Sequence, residues 1–164
     1  MIAEIHADAT LTWRGRRLRC ALGRGGISTT KHEGDGATPA GTLLLRRLLY
    51  RADRIAAPPG MLPREPIGEA DGWCDDPAHA DYNRQVTLPH PARCERMSRN
   101  DHLYDLVAVL GWNDDPVVRG RGSAIFLHVA REDFAPTEGC VALALPDLLM
   151  LLAEGVSSLH VRTD

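Results

Sequence analysis

One histidine and one cysteine have the residue types and spacing of a base and a nucleophile. His128 follows the apolar run Ile125–Leu127, and Cys140 follows Gly139 after an excursion of eleven residues. A free thiol, with a pKa near 8.5, is a poor nucleophile at neutral pH, and an adjacent imidazole can accept its proton. If both residues end neighbouring strands, the pattern predicts cysteine-based acyl transfer. Spacing alone leaves open that both are ordinary half-buried strand residues.

The glycine before the cysteine fits the same chemistry. Because Gly139 has no Cβ, its backbone can turn so that the amides of Gly139 and Cys140 point at a developing oxyanion. Each such donor contributes about 3 kcal/mol to transition-state stabilisation in hydrolases. We therefore predict an oxyanion hole formed by these two backbone amides.

Length and composition place the chain among ordinary globular domains. Its 164 residues predict one domain over 1–164, and 44% apolar with 25% charged residues exclude global disorder. A net charge of -3 argues against a nucleic-acid binder, and no apolar run approaches the ~20 residues of a membrane span. The segment Met1–Asp8 lacks a basic cluster and an apolar stretch, so we expect cytoplasmic localisation, or periplasmic if a leader was removed.

The elements that must position the pair are mostly strands. Alternation predicts a hairpin over Thr10–Trp13 and Arg17–Gly23, followed by a glycine-rich loop to Gly41. The middle stretch, 56–100, has no sustained period and is expected to be a long loop that forms a lid or wall over a site. Further strands are predicted over Thr42–Leu45, Leu103–Leu110, Ser123–Val129, Cys140–Leu145 and Ser158–Arg162, with a helix over Pro146–Glu154 capped by Gly155.

Three motifs occur in a characteristic order. They lie in Gly34–Thr42, which contains a Thr-Pro-Ala-Gly-Thr turn, in Gly122–His128, and in Pro136–Val141. In this order they resemble the L,D-transpeptidase catalytic domain, the YkuD-like family, from about Thr10 to Val161. The resemblance implies a mainly β fold, with mixed sheets forming a sandwich or barrel, one or two helices and a long middle loop.

The resemblance also implies an activity on peptidoglycan stem peptides. Cys140 is expected to attack the carbonyl of meso-diaminopimelate and to cleave its bond to D-Ala through a thioester. His128 is expected to be the base, oriented by a backbone carbonyl. Water as acceptor, giving an L,D-carboxypeptidase of muropeptide recycling, is favoured. The alternatives are an amine acceptor, giving a cross-linking L,D-transpeptidase, and an inactive wall-peptide-binding module.

Expected partners are muropeptides and carbapenem-type β-lactams, with no nucleic acid and no membrane. No cofactor is expected. Two departures from the family pattern concern substrate binding, because Glu138 replaces a histidine and Ala142 replaces an arginine suited to hold a carboxylate. Arg119, Arg121 or Arg131 could supply that charge. The candidate substrate-binding residues are Ser123, Thr137, Glu138, Arg121, Arg131 and Tyr82.

Two cysteines and two histidines in the middle stretch raise the alternative of a zinc site. Cys74, His79, His90 and Cys94 offer suitable ligands, but their spacing matches no common zinc module. We therefore expect no metal there, and no Cys74–Cys94 disulfide in a reducing compartment. On this interpretation the four residues pack the middle loop.

Overall fold

The computed structural model describes all residues, 1–164, and is dominated by strands. The single helix, α1 (Leu145–Ala153), lies between the last two strands, and no helix has the length and apolar character to cross a bilayer. The strands are β1 (Ile2–His6), β2 (Thr10–Trp13), β3 (Arg16–Ala21), β4 (Ile27–Ser28), β5 (Thr38–Pro39), β6 (Gly41–Tyr50), β7 (Arg64–Pro66), β8 (Asp71–Cys74), β9 (Gln85–Thr87), β10 (Cys94–Arg96), β11 (Leu106–Leu110), β12 (Phe126–Val129), β13 (Val141–Leu143) and β14 (Ser158–Val161).

Eight strands close into a barrel in the order β11-β12-β13-β3-β2-β1-β14-β6, with β6 pairing back to β11. β1 with β14 and β12 with β13 are parallel pairs, and the remaining barrel pairs are antiparallel. Because the barrel is closed, it has no free edge strand. Outside the barrel order, β7 pairs in parallel with the C-terminal end of β6, Leu48–Tyr50. The predicted mainly β fold with mixed sheets is confirmed.

The barrel interior is filled by alternate residues of its strands. On β12, Leu127 and Val129 point inward and join the main hydrophobic cluster. Helix α1 closes one end of this core with its buried Leu148 and Leu151. Pro146 lies in the first turn of the helix, where a missing amide donor costs nothing, and Gly155 follows its end at φ +83°.

A second, smaller hydrophobic cluster lies outside the barrel wall. Phe126 and Val107 project outward and are covered by aromatic side chains from the middle of the chain. The rings of Trp73 and Tyr104 meet the Phe126 ring edge-on, at centroid distances of 5.0 and 5.8 Å. We call residues 67–104 the cover. It is organised by a three-stranded sheet in the order β10-β8-β9.

The cover corrects the expectation of a structureless middle loop. Its strands have three or four residues each, too short for alternation to stand out from the surrounding turns. The short strands β4, β5 and β7, of two or three residues each, were not predicted either. β1 was not predicted because one of its two inward residues is the small Ala3. β6 was predicted to end at Leu45, five residues short of Tyr50, because Arg46 and Arg47 interrupt its apolar pattern.

Truncation of an inward residue should destabilise the barrel much more than truncation of an outward one. Leu127→Ala empties a fully buried position, and we expect it to lower the free energy of unfolding by about 2–5 kcal/mol. Leu44→Ala, at a position 47% exposed on the same barrel, should change it by less than about 0.5 kcal/mol. Urea unfolding followed by circular dichroism measures both. Equal losses would contradict the assignment of inward and outward faces.

Candidate active site

Strand pairing brings Cys140 and His128 to one face of the barrel wall. In the parallel pair β12–β13, Leu127 lies opposite Val141, so Cys140 comes beside Phe126. Phe126 and His128 share the outward face because side chains alternate along a strand. Both Cys140 and His128 line one cavity, of about 410 Å³, between the barrel wall and the cover. The predicted pair is therefore brought together, outside the barrel and not within it.

The His128 ring is fixed in one orientation. Its Nδ1 lies 2.9 Å from the backbone oxygen of Val129. Because a carbonyl can only accept, Nδ1 carries the proton and Nε2 keeps a free lone pair. The Tyr104 ring packs edge-on against the imidazole at 5.3 Å. Burial lowers the pKa of His128 to about 4, so the ring is neutral at pH 7 and can accept a proton.

The Cys140 side chain is held between two backbone groups of the strand beside it. Its Sγ lies 3.2 Å from the oxygen of Ala124, to which the thiol donates, and accepts from the Phe126 amide at 3.3 Å. Ala124 has φ +52°, a rare conformation for a residue with a Cβ, which turns its carbonyl towards the sulfur. Burial raises the pKa of Cys140 to about 12, and the charge of Glu95 adds to the effect. The free site therefore holds a neutral thiol beside a neutral imidazole.

The loop before the nucleophile is fixed by Thr137. Its Oγ1 donates to the backbone oxygen of Cys140 at 2.6 Å and accepts from the Gly139 amide at 3.2 Å. Gly139 has φ +133°, and a Cβ there would lie 2.9 Å from the oxygen of Ala37. The Gly139 amide is thus already engaged, whereas the Cys140 amide donates no hydrogen bond within the chain. Of the two predicted oxyanion donors, only Cys140 is unengaged in this state.

The cavity walls carry charges of both signs. The predicted residues Ser123, Thr137, Glu138 and Arg131 all line it. Ser123 donates to Glu33 at 2.6 Å, and Glu138 is exposed and paired with Arg24. Arg131 is exposed and forms no ion pair, and its charge contributes to lowering the pKa of His128.

Tyr82 and Arg121 do not line the cavity, which corrects the contacts predicted for them. Tyr82 is buried inside the cover, where its hydroxyl accepts a hydrogen bond from the Gly122 amide at 3.0 Å. Its role is to support the strand that leads to His128. The guanidinium of Arg121 lies over the Trp112 ring at 5.9 Å. Arg119 is also outside the cavity and donates to the Ala78 oxygen.

Three charged residues of the cover, Arg93, Glu95 and Arg99, line the cavity and were not predicted from the sequence. Arg93 pairs with Asp75 at 3.0 Å, and both line the cavity. Glu95 is partly buried and accepts from the Tyr104 hydroxyl, and burial raises its pKa. Arg99 also lines the cavity and is held by Asp101. The one sequence signal was the alternation of charged residues around Cys94, which is too short to indicate a strand by itself.

The potential metal ligands lie on the other side of the cover. Ligand atoms of Cys74, His90 and Cys94 are all within 4.8 Å of one another. None of these residues lines the cavity. The structure thus brings together three of the four residues that the sequence suggested as zinc ligands, although their spacing matched no common module.

The fold and the cavity define a closed β-barrel protein with a cysteine–histidine pair on its outer wall. A family model described as the YkuD L,D-transpeptidase catalytic domain matches residues 3–154, and the chain belongs to this family. The chain is similar to the solved structure of an L,D-transpeptidase from Mycobacterium smegmatis, with 14% identity and a TM-score of 0.44. That similarity covers 99% of this chain and 58% of the mycobacterial one, so the chain spans less than two thirds of that relative. No curated protein sequence matches the chain.

The neutral state of the pair can be measured directly. We expect the ¹⁵N resonances of the His128 ring to report a neutral Nδ1–H tautomer at pH 6 and protonation only near pH 4, because burial penalises the charged form. His128→Gln assigns the signal. Alkylation of Cys140 should accelerate by about tenfold per pH unit up to pH 9, as the small thiolate fraction grows. An imidazolium signal at pH 7, with a plateau in alkylation, would show a preformed ion pair instead.

Proposed function

We propose that this protein is a cysteine-dependent L,D-carboxypeptidase that removes D-Ala from peptidoglycan tetrapeptides. The observation that carries the proposal is the joint position of Cys140 and His128 in one cavity, with His128 Nε2 left free by the bond from Nδ1 to Val129. Family membership supports an L,D-specific reaction at the diaminopimelate carbonyl. Acylation of Cys140 by carbapenem-type β-lactams is part of the same proposal, because their strained amide would be opened by the same attack.

The reaction proceeds in two steps through a thioester. Cys140 Sγ attacks the amide carbon while its proton passes to His128 Nε2, and the oxygen becomes an oxyanion that the Cys140 amide can bind. The carbon–nitrogen bond then breaks, and His128 returns the proton to the departing D-Ala amine. In the second step water attacks the thioester, His128 accepts its proton, the carbon–sulfur bond breaks and the thiol is restored.

The two shifted pKa values determine when the proton moves. A pKa of about 12 for the thiol and about 4 for the imidazole make a thiolate–imidazolium pair unfavourable in the free protein. Proton transfer must therefore accompany formation of the carbon–sulfur bond. A bound substrate that displaces the Ala124 contact with Sγ would assist this step, because it would release the thiol from its acceptor.

The mixed charges of the cavity suit a zwitterionic substrate end. Arg93 and Arg99 are already paired with Asp75 and Asp101, whereas Arg131 is uncommitted. A guanidinium binds a carboxylate through two parallel hydrogen bonds. We therefore assign Arg131 to the terminal carboxylate of D-Ala, in place of the arginine that Ala142 replaces.

Water is favoured over an amine as the acceptor because of the size of the cavity. A volume of about 410 Å³ is at the lower end of the range for small-ligand sites and fits one peptide end. The second candidate, L,D-transpeptidation with an amine acceptor, is favoured by family membership. It requires a second stem peptide to reach the thioester while the first occupies the cavity.

Product analysis with a disaccharide tetrapeptide tests the proposal. We expect mass spectrometry to show loss of one D-Ala without dimers, because water resolves the thioester. Cys140→Ala should abolish turnover, and Cys20→Ser, at a cysteine buried in the barrel core, should retain it. Cross-linked dimers or exchange of D-amino acids would establish the transpeptidase instead. Retained turnover in Cys140→Ala would refute the cysteine mechanism.

The assignment of Arg131 can be tested with a matched arginine. Arg131→Ala should lower kcat/KM by roughly ten- to a hundredfold, mainly through KM, because a charged bidentate contact is lost. Arg121→Ala should leave both constants unchanged, since this guanidinium lies over Trp112 outside the cavity. Steady-state kinetics on the tetrapeptide give both values. An equal effect of the two substitutions would contradict the assignment.

A further inference from the structure

Two cysteines of the cover lie directly opposite each other in its small sheet. Cys74 ends β8 and Cys94 begins β10, and the two are paired in the antiparallel register. The Asp75 amide donates to the Arg93 oxygen at 3.2 Å, so the adjacent pair Cys74–Cys94 is a non-hydrogen-bonded pair. Side chains approach most closely in such pairs, where the Cα atoms are about 4.5 Å apart. The two thiols therefore share one small space.

This pair is on the face of the sheet that points away from the barrel. Trp73 projects towards Phe126, and alternation sends Cys74 in the opposite direction. Cys74 is nevertheless completely buried, and it belongs to neither hydrophobic cluster. The segment between β8 and β10, which contains β9, brings His90 next to both sulfur atoms. Hydrophobic packing thus does not explain why two cysteines are enclosed here.

The segment between β8 and β10 places imidazole and carboxylate groups next to the thiols. A ring nitrogen of His90 lies within 4.8 Å of both sulfur atoms. The His90 Nε2 is 2.9 Å from Asp81, an arrangement typical of metal-binding histidines, which commonly donate one ring N–H to a carboxylate. The other ring nitrogen, Nδ1, accepts from the Ala92 amide at 3.1 Å, and a metal bound at Nδ1 would replace that hydrogen bond. The ring of His79 packs edge-on against that of His90 at 4.8 Å.

We propose that Cys74, Cys94 and His90 bind a zinc ion on the outer face of the cover. Two sulfur ligands and one imidazole suit Zn²⁺, which takes Zn–S distances of about 2.3 Å and Zn–N distances of about 2.0–2.1 Å in a tetrahedron. Tetrahedral coordination then requires ligand atoms about 3.5–3.8 Å apart, which small side-chain rotations from the present separations provide. Binding converts both thiols to thiolates and releases two protons to solvent. The fourth ligand would be water or the His79 ring, which packs against His90.

The position of this ion gives it a structural role. Its ligands are neighbours in sequence of three cavity-lining residues: Asp75 directly follows β8, Arg93 directly precedes β10, and Glu95 lies on β10. The ion would therefore link β8, β10 and the segment between them, and so fix the positions of these charged side chains at the cavity. The proposal is independent of the reaction catalysed there, because none of the ligands lines the cavity.

The untagged 164-residue protein, purified from zinc-supplemented medium and gel-filtered, provides the test. We expect about one zinc per chain by elemental mass spectrometry in the wild type, in Cys20→Ser and in Cys140→Ala. Cys94→Ser and His90→Ala should lose most of this zinc. Removal of the metal by a chelator should lower the melting temperature of the wild type, because bound metal stabilises the folded state.

A second measurement guards against variants that fail to fold. Cobalt added to the metal-free wild type should give an intense sulfur-to-cobalt charge-transfer band, and this band should fall by at least half in folded Cys94→Ser, which keeps at most one of the two thiolate ligands and binds the metal more weakly. A zinc content near zero in the wild type would overturn the proposal. So would equal zinc in wild type and Cys94→Ser, or a Cys74–Cys94 disulfide, seen as a mass lower by two protons, in place of bound metal.

Discussion

The parallel pairing of β12 with β13 is the constraint on which the site depends. This register turns Leu127 and Val141 into the barrel and leaves Phe126, His128 and Cys140 on the outside. A slip of one residue would reverse every one of these orientations, so the interior packing of the barrel itself protects the register. The barrel is closed and filled, and the chemistry can only take place on its wall.

A site on the outer wall of a barrel needs a covering layer to exclude water, and residues 67–104 form this layer. The resulting burial disfavours the charged forms of the two central residues. Trp73 and Tyr104 seal the space around Phe126, and this burial keeps both Cys140 and His128 uncharged. In the same dry space, a hydrogen bond from the Cys140 amide to a developing negative charge is stronger than it would be in water. In the proposed mechanism, the reaction therefore depends on the bound acyl group, because the free site holds no thiolate.

The sequence predicted the barrel strands that alternate clearly and the pair at their ends, but not the layer above them. The hairpin around Gly15 and the helix after Pro146 follow from local rules of turns and caps. The cover does not, because its strands are short and its order depends on contacts with the barrel. For this reason Arg93 and Glu95 were not predicted as cavity residues. Tyr82 was predicted to line the cavity, but its hydroxyl is buried in the cover and accepts a hydrogen bond from the Gly122 amide.

The two hydrophobic clusters stabilise different parts of the molecule. The larger cluster holds the barrel together without any atom from the cover, and the smaller one attaches the cover to a prepared face. Insertions, deletions or replacement of residues 67–104 would thus alter which molecules enter the cavity, while the barrel core keeps all of its side chains. Chimaeras that combine this barrel with covers of other lengths are the natural engineering route to new selectivities.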